Sequence, residues 1–495
     1  MKKSSLFAIT LTLLVIGQAG SWALARTSLP QAEQKASIEG EWEGTLDVGG
    51  PKLRLVLKIS KEKDGSLAAT LDSLDQNAMD LPVNSITVDG DTLHFEMKLI
   101  GGLYDGKFNK DRSEVAGTWR QGDNSLPLSL KRAEKKSGVG VKPDESKKPE
   151  PSAKPQEPKK PYPYDEEEVS YDNKAGGVKL AGTLTLPRTK GPFPAVILIT
   201  GSGPQNRNEE LLGHKPFLVL ADHLTRKGIA VLRVDDRGVG GSTGNITTST
   251  SEDFAGDVLT GIEFLKTRKE VNAKQIGLIG HSEGGLIAPM VAARSTDVAF
   301  IVLMAGPGLR GEEILYLQGA LIAKANGATD EAIAKSRATN QVIFAILKEE
   351  KDNAAAEKRI RENLPKLMEG MTDEQKKASG SGAAVEAQLK MVLTPWFRYF
   401  LAYDPKPALM KLRCPVLAIN GEKDLQVPPD EDLNAIEQTL AAARNPDYKV
   451  VKLPGLNHLF QTSRTGAPSE YAEIRETISP AALEAMSDWI LKHTR

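Results

Sequence analysis

Residues 280–284 read Gly-His-Ser-Glu-Gly, a spacing that could present the hydroxyl of Ser282 for nucleophilic attack. An apolar run ends just before this pentapeptide and another begins just after it, which predicts a buried strand turning sharply into a helix at the serine. Glycine on both sides allows the close backbone approach of such an elbow. The chemistry would be attack on a carbonyl carbon. Taken alone, the pattern also fits an ordinary glycine-rich turn.

A serine hydroxyl attacks well only when a base takes its proton and a carboxylate orients that base. Two histidines follow Ser282 in the chain. His493 stands in the charged C-terminal stretch, whereas His458 follows an apolar run at 448–453 that is predicted to be a strand. The loop after a parallel strand is where such a base is expected, so His458 is the predicted base.

Three acidic residues lie between the serine and His458 at a suitable place, just after the predicted strand at 416–419. Asp424 and Glu422 share one loop, and Asp430 follows it. The chain order serine, acid, histidine is that of one known triad arrangement. Asp424 is favoured because a glycine before it and Val-Pro after it predict a tight turn with a fixed exit. Each of the three could instead be a solvated loop carboxylate.

Attack on a carbonyl creates an oxyanion, which needs hydrogen-bond donors already in place. The backbone amide of Glu283, next to the serine, is the first predicted donor. The second is expected from the loop after an early strand, where Gly-Ser-Gly-Pro occupies 201–204, and the amides of Ser202 and Gly203 both remain open. This loop lacks the lysine of a phosphate-binding P-loop.

No cofactor or metal is predicted. The glycine-rich loop at 235–244 does not have the G-x-G-x-x-G spacing of a dinucleotide site, and its Arg237 is expected to order neighbouring loops. His214, His223 and His281 do not combine with carboxylates or thiols at metal-ligand spacing. A formal net charge of −1 gives no basic surface for nucleic acid.

The elements that must position these residues occupy about 165–495. Apolar, β-branched runs alternate there with helical patterns, which predicts a doubly wound, mostly parallel α/β sheet. The interval of about 309–407 shows only helical patterns and is predicted to form a cap over the site. Within it, Trp396, Phe397 and Phe400 form an aromatic cluster. These rings could pack on the core, line the substrate pocket, or do both.

The N-terminal part divides into three segments. Residues 1–25 have the charged start, short apolar run and Ala-Leu-Ala exit of a signal peptide, so export to the periplasm or medium is expected, with a membrane anchor as the alternative. Residues 38–133 contain short alternating runs separated by turn residues, which predict a small antiparallel barrel or sandwich with Trp42 and Trp119 closing its core. Residues 134–163, rich in proline, lysine and glutamate, predict an extended linker.

The motifs at 201–204, 235–242, 280–285, 421–428 and 457–458 together resemble the α/β-hydrolase superfamily. More narrowly, they resemble its exported bacterial carboxylesterases, relatives of the serine aminopeptidase-like hydrolases. The resemblance implies hydrolysis of small, short-chain esters by Ser282, Asp424 and His458. Two alternatives stay open. One is an exopeptidase, which would need acidic residues such as Glu312 and Glu313 to hold a free amine; the other is a non-catalytic envelope binding protein.

Overall fold

The computed structural model describes residues 38–47, 52–61, 66–73, 78–97, 102–121, 124–132, 154–367 and 382–494. The chain divides into two compact units, whose described parts are 38–132 and 154–494. The predicted signal peptide and the predicted linker up to residue 153 lie outside the described residues. Among the helices that the structure describes, none is long and apolar enough to cross a membrane.

The N-terminal unit is one antiparallel sheet of nine strands in the order β4-β3-β2-β1-β9-β8-β7-β6-β5. Because β3 and β5, near its two ends, approach each other, the sheet nearly closes into a barrel. The strands are β1 (Gly40–Asp47), β2 (Lys52–Lys61), β3 (Leu67–Ser73), β4 (Ala78–Pro82), β5 (Ser85–Asp89), β6 (Thr92–Met97), β7 (Gly102–Phe108), β8 (Glu114–Gln121) and β9 (Asn124–Arg132).

Every second side chain of β6 and β7 is buried, and these side chains help to fill the interior of the sheet. Trp42 packs against Phe108 with ring centroids 5.4 Å apart, and Trp119 packs against Phe95 at 6.1 Å. Both tryptophans belong to one buried cluster, as the sequence predicts. The buried hydroxyl of Tyr104 donates to backbone carbonyls of β8 and β9. A packed barrel-like domain, rather than a two-sheet sandwich, is the result.

The second unit is built on an eight-stranded sheet in the order β10-β11-β13-β12-β14-β15-β16-β17. The pairs β10·β11 and β11·β13 are antiparallel and the other pairs are parallel. The strands are β10 (Tyr164–Asn173), β11 (Val178–Pro187), β12 (Phe193–Ile199), β13 (Ala230–Val234), β14 (Val271–His281), β15 (Val298–Met304), β16 (Val416–Gly421) and β17 (Tyr448–Leu453). This is the predicted α/β architecture.

Helices cover both faces of this sheet. They are α1 (Pro216–Arg226), α2 (Ser251–Lys266), α3 (Glu283–Ala292), α4 (Gly311–Ala325), α5 (Asp330–Glu349), α6 (Asn353–Leu367), α7 (Gly382–Val392), α8 (Pro395–Ala402), α9 (Lys406–Leu409), α10 (Pro429–Ala442) and α11 (Pro480–Thr494). In β12, Ile197 and Ile199 enter the core formed with α2 and α3, whereas Val196 and Leu198 enter the core formed with α1 and α11. Burial on both faces explains why such strands are almost wholly apolar.

The parallel strands place their carboxyl ends on the same edge of the sheet. The loop after β12 carries Ser202, β14 leads into Ser282, the loop after β16 carries Asp424, and the loop after β17 carries His458. This edge is where open α/β sheets bind ligands. Four sequence-distant segments are therefore brought to one place by the strand order alone.

The helical insertion between β15 and β16 contains the described helices α4 to α9. Its two ends meet: the amide of Gly311 donates to the carbonyl of Tyr403 at 3.2 Å, and Arg310 pairs with Asp404 at 3.0 Å. The insertion thus leaves the sheet and returns to it at one position.

Asp432, on the first turn of α10, anchors the beginning of that insertion. Its Oδ1 accepts the amides of Gly308 at 2.7 Å and Leu309 at 3.0 Å. The side chain is fully buried, and its Oδ2 has no hydrogen-bond partner in the described residues. Burial raises the pKa of this carboxyl well above its ordinary value, more than the two amides lower it.

The last part of the predicted linker is held against the second unit. Lys154 donates to the carbonyls of Ala472 and Ile474 at 3.2 and 3.0 Å. The side-chain amide of Gln156 donates to the carbonyl of Ile478 at 2.7 Å and accepts the amide of Thr477 at 2.5 Å. Lys154 and Gln156, in the segment that the sequence predicts to be an extended linker, thus dock on residues 472–478, a contact that composition does not reveal.

Candidate active site

Ser282 sits in the strained elbow that the sequence predicts. Its φ is 53° and its ψ is −117°, a conformation that residues other than glycine rarely adopt. A β-carbon at position 280 would overlap the carbonyl of Gly284, and one at 284 would overlap the carbonyl of Ile199. The serine amide donates to the carbonyl of Met304 at 2.8 Å, which ties the elbow to the end of β15. Strain of this kind is maintained by packing around a functional residue.

The predicted base and acid are hydrogen-bonded to each other. Nδ1 of His458 lies 2.7 Å from Oδ2 of Asp424, and the two side chains are 6% and 0% exposed. Oδ1 of the aspartate accepts the amides of Gln426 at 2.7 Å and Val427 at 2.9 Å. The carboxylate is thus fixed by its own turn and holds one ring nitrogen of the histidine, leaving Nε2 for proton transfer.

The competing residues have other partners. Glu422 accepts the amide of Gly455 at 2.8 Å, and exposed Asp430 pairs with Lys452 at 2.6 Å. His493, on the C-terminal helix, has its Nε2 2.9 Å from Oδ2 of Asp447. Of the acids and histidines that follow Ser282 and were weighed from the sequence, the structure brings Asp424 and His458 together.

His458 is brought beside the elbow through the residue that precedes the serine. Nε2 of His281 lies 3.0 Å from the backbone carbonyl of His458, and the two imidazole centroids are 4.9 Å apart. The histidine loop is itself braced by Asn457, whose side chain accepts the amides of Leu459 and Gln461. The base therefore lies on a rigid turn next to the predicted nucleophile.

The predicted oxyanion donors lie in two loops that meet at the elbow. A β-carbon on Gly201 would be 3.4 Å from Cβ of Ser282, so the loop after β12 passes directly by the serine. The amide of Gly201 is committed to Glu209 at 2.7 Å. Within the described part of the chain, the amides of Ser202, Gly203 and Glu283 have no hydrogen-bond acceptor. These three amides are free to face a developing negative charge.

The side chain of Glu283 connects the elbow to its surroundings. It accepts the hydroxyl of Ser251 at 2.6 Å and the indole N–H of Trp396 at 2.8 and 2.9 Å, and it bonds to the Ser202 side chain. Burial raises the pKa of this carboxyl, although these donors oppose the shift. Trp396 belongs to α8, so the insertion contacts the residue whose amide is a predicted oxyanion donor.

The three aromatic residues predicted for the pocket have different surroundings. Trp396 is half-buried, contacts Glu283 and stacks on Phe400 with centroids 5.6 Å apart. Phe397 is fully buried and packs against Phe344 of α5 at 5.9 Å. Trp396 reaches the site, whereas Phe397 fills the interior of the insertion and Phe400 supports the tryptophan.

A cavity of about 50 Å³ lies under the loop after β12. Thr200, Gly201, Asp236 and Glu283 supply polar groups to its wall. Ser282 and His458 do not line it, and its size suits a few water molecules rather than an ester with both acyl and alcohol parts. The cavity is therefore too small to be the place where a whole ester substrate binds.

Sequence reasoning did not identify the acidic residues that hold the loop after β12. Asp236 accepts the hydroxyl of Thr200 at 2.7 Å and the amide of Gln205 at 2.9 Å. Glu209 accepts the amide of Gly201 and contacts Nδ1 of His281 at 2.9 Å. Arg237, which the sequence analysis expects to order neighbouring loops, bonds to Asp257 of helix α2. The available signal was the concentration of polar residues in the loops after β12 and β13.

Comparison with known proteins identifies the family. A family model described as X-Pro dipeptidyl-peptidase (S15 family) matches residues 176–451, more than half of the 495-residue chain. The chain belongs to the S15 family. The matched residues run from β11 almost to the end of β17, so this S15-family region includes Ser282 and Asp424 and stops just before the loop of His458.

Relatives of the S15-family chain include esterase EstD of Thermotoga maritima, which is 26% identical over 322 residues. The alignment covers 63% of this chain and 66% of EstD, just under two thirds of that relative. One similar solved structure is esterase Pf2001 of Pyrococcus furiosus, at 18% identity and TM-score 0.40 over 67% of this chain and 92% of that one. Another is the α/β hydrolase GrgF of Penicillium sp. sh18, at 17% identity and TM-score 0.41 over 67% of this chain and 99% of that one. The predicted α/β-hydrolase superfamily is confirmed.

Proposed function

We propose that this protein hydrolyses small carboxylic esters, with short acyl chains, through an acyl-enzyme on Ser282. The observation that carries the proposal is the buried hydrogen bond between Asp424 and His458 beside the strained elbow. In this mechanism Nε2 of His458 removes the serine proton during attack, and Asp424 holds the imidazole in the required tautomer and stabilises its charged form.

The oxyanion of each tetrahedral intermediate would accept the amide of Glu283 and that of Ser202 or Gly203. His458 then gives its proton to the leaving alcohol, which leaves an acyl group on Ser282. Water then attacks the acyl carbon and loses a proton to the same imidazole, and the imidazole returns that proton to the Ser282 oxygen as the carboxylic acid leaves. In both halves of the reaction His458 acts first as general base and then as general acid.

Peptide cleavage is the competing activity, because the S15 family description is that of a peptidase. An exopeptidase would need acidic side chains free to hold the substrate amine. Glu312 instead pairs with Lys348 at 2.6 Å and accepts the hydroxyl of Tyr316, while Glu313 accepts the amide of Arg310 at the start of α4. With both cap candidates engaged, and with an esterase among the relatives, ester hydrolysis is the better-supported activity.

The two activities are separated by comparing p-nitrophenyl acetate with aminoacyl p-nitroanilides on the purified enzyme. We expect turnover of the ester to exceed that of the anilides, and Ser282→Ala to lose on the order of 10⁴- to 10⁶-fold in kcat while its melting temperature stays close to that of the wild type. Faster cleavage of the anilides would replace the ester proposal. Undiminished turnover by Ser282→Ala would refute the assignment of this serine as the nucleophile. No turnover by the wild type, together with no labelling by a fluorophosphonate, would favour a non-catalytic binding protein.

We also propose export, supported by the composition of residues 1–25. Mass spectrometry of the protein from its native host should give a mature chain that starts at Arg26. A full-length chain in the cytosolic fraction would contradict export.

A further inference from the structure

A second acid–histidine contact lies beside the one in the proposed triad, and that mechanism does not use it. Nδ1 of His281 is 2.9 Å from Oε1 of Glu209, and both side chains are 7% exposed. Nε2 of the same ring is 3.0 Å from the backbone carbonyl of His458, and Oε1 of Glu209 also accepts the amide of Gly201 at 2.7 Å. One chain of contacts thus joins the loop after β12, the elbow and the histidine loop.

The partners of His281 restrict its protonation. A carbonyl oxygen only accepts hydrogen bonds, so the contact with His458 requires a hydrogen on Nε2 of His281. Nδ1 faces a carboxyl oxygen that already accepts an amide. The imidazole is therefore either a cation beside a carboxylate or neutral beside a protonated Glu209.

The electrostatics of the site favour the charged pair. Burial disfavours a charged imidazole, but attraction to Glu209 and the bonds to Glu209 and the His458 carbonyl outweigh it and raise the pKa of His281. The titratable groups facing this ring are Glu209 from the loop after β12, Asp424 from the loop after β16 and His458 from the loop after β17. Two of the three are carboxylic acids, which stabilise a positive charge.

We propose that Glu209 and His281 form an ionised carboxylate–imidazolium pair that positions His458 and the oxyanion loop for the hydrolase reaction. The inference rests on the proposed function. His458 is then held twice, through its ring by Asp424 and through its backbone by His281. Glu209 turns the Gly201 amide away from the oxyanion and leaves the following amides to face it. A φ of 51° at Glu209 shows that the loop holds this residue in a strained conformation.

The kinetic test uses His281→Gln and Glu209→Gln in the full chain, with His223→Gln as the matched control. His223 bonds to Ser487 between α1 and α11, away from the site. Both test variants should lose about 10²-fold in kcat for p-nitrophenyl acetate, because a displacement of the His458 base by about 1 Å slows proton transfer. KM should change little, because the contacts that bind the substrate stay in place. The double variant should lose no more than either single one, since the two residues act as a unit.

A spectroscopic test reports on the pair directly. In the wild type labelled with ¹⁵N-histidine, one histidine should keep both ring nitrogens protonated at a pH above the ordinary histidine pKa of about 6.5. That signal should disappear in His281→Gln. In Glu209→Gln it should change to the signal of a neutral imidazole. A neutral His281 at that pH, or kcat within twofold of wild type in both variants, would overturn the inference.

The failure of this inference can be told apart from failure of the proposed function. If Ser282→Ala abolishes turnover while His281→Gln does not, only the positioning role is wrong. If Ser282→Ala has no effect, the serine mechanism itself is wrong. Melting temperatures show whether a variant has lost activity because it is unfolded. If His281→Gln does not fold, Glu209→Gln still tests the inference, because Gln has nearly the same shape as Glu.

Discussion

Asp424 and His458 are 34 residues apart in the chain, and their side chains meet at 2.7 Å in the interior of the protein. The aspartate uses its other oxygen to bind two amides of its own turn. Its position is therefore set by the turn and does not depend on the histidine. A carboxylate fixed in this way can dictate which nitrogen of the imidazole carries the proton.

Replacing Asp424 by Asn should impair catalysis far more than folding. Asn keeps an oxygen for the two amides, but its NH₂ group faces Nδ1 of His458 and favours the wrong tautomer. We expect kcat for p-nitrophenyl acetate to fall by about 10⁴-fold, with a melting temperature close to that of the wild type. Glu422→Gln and Asp430→Asn are the controls and should keep most activity. A larger loss in Glu422→Gln than in Asp424→Asn would identify the wrong acid.

Gly284→Ala should destabilise the elbow. An added methyl group would overlap the carbonyl oxygen of Ile199, and neither atom can move away unless the backbone shifts. The expected loss is about 1–3 kcal/mol in the free energy of unfolding, accompanied by loss of activity. Gly319→Ala is the matched control: it lies within α4 with nothing within 4 Å of the added carbon, so it should stabilise by up to about 1 kcal/mol. Denaturant titration of both variants measures the contrast, and equal effects would refute the packing argument.

Asp432→Asn should change how stability depends on pH. Because the carboxyl pKa is raised on folding from its ordinary value of 3.8, the native state holds the proton more tightly than the unfolded chain. The free energy of unfolding therefore falls as pH rises from the unfolded pKa towards the folded one. Asn keeps the oxygen that accepts Gly308 and Leu309 and does not ionise. Its melting temperature relative to wild type should rise with pH across this window.

The exposed Asp430→Asn variant serves as the control for that measurement. Thermal melts of the wild type and both variants at several pH values measure how the melting-temperature differences change with pH. A difference between wild type and Asp432→Asn that stays constant with pH would mean that Asp432 is already ionised in the folded protein.

Truncation should locate the true start of the catalytic unit. A chain beginning at Pro151 keeps Lys154 and Gln156 on the 472–478 segment, and we expect it to fold and remain active. A chain beginning at Pro161 lacks both residues and the four hydrogen bonds described above. Its free energy of unfolding should be lower by about 2–6 kcal/mol, since each hydrogen bond is worth roughly 0.5–1.5 kcal/mol. Gln156→Ala should reproduce part of this loss, whereas Lys159→Ala, at an exposed position, should not. Equal melting temperatures for the two truncated chains would contradict this role.

The sequence predicts the α/β sheet well where the local signal and the tertiary role agree. The runs that become β12, β15 and β16 are apolar because both faces of the sheet are covered, and composition alone reveals that. β1 has two glycines and several acidic residues, and it is a strand because β2 and β9 pair with it on both sides. α10 was also not anticipated, although Pro429 and three acidic residues in its first turn mark a helix start.

For the candidate site, chain order and the loop after each strand were enough to select Ser282, Asp424 and His458. Strand register fixes where those loops end, so a correct sheet brings them together. The contact between Glu209 and His281 spans 72 residues and depends on how one loop folds back over the elbow. No periodicity or spacing encodes that path, and only the coordinates reveal it.

The ends of the helical insertion are tied to each other by Arg310 and Asp404, and its entry is tied to α10 by Asp432. An excursion that departs and rejoins at one point adds no strain to the strands on either side of it. Such a segment can therefore change in length or composition without moving β15 away from β16, its neighbour in the sheet.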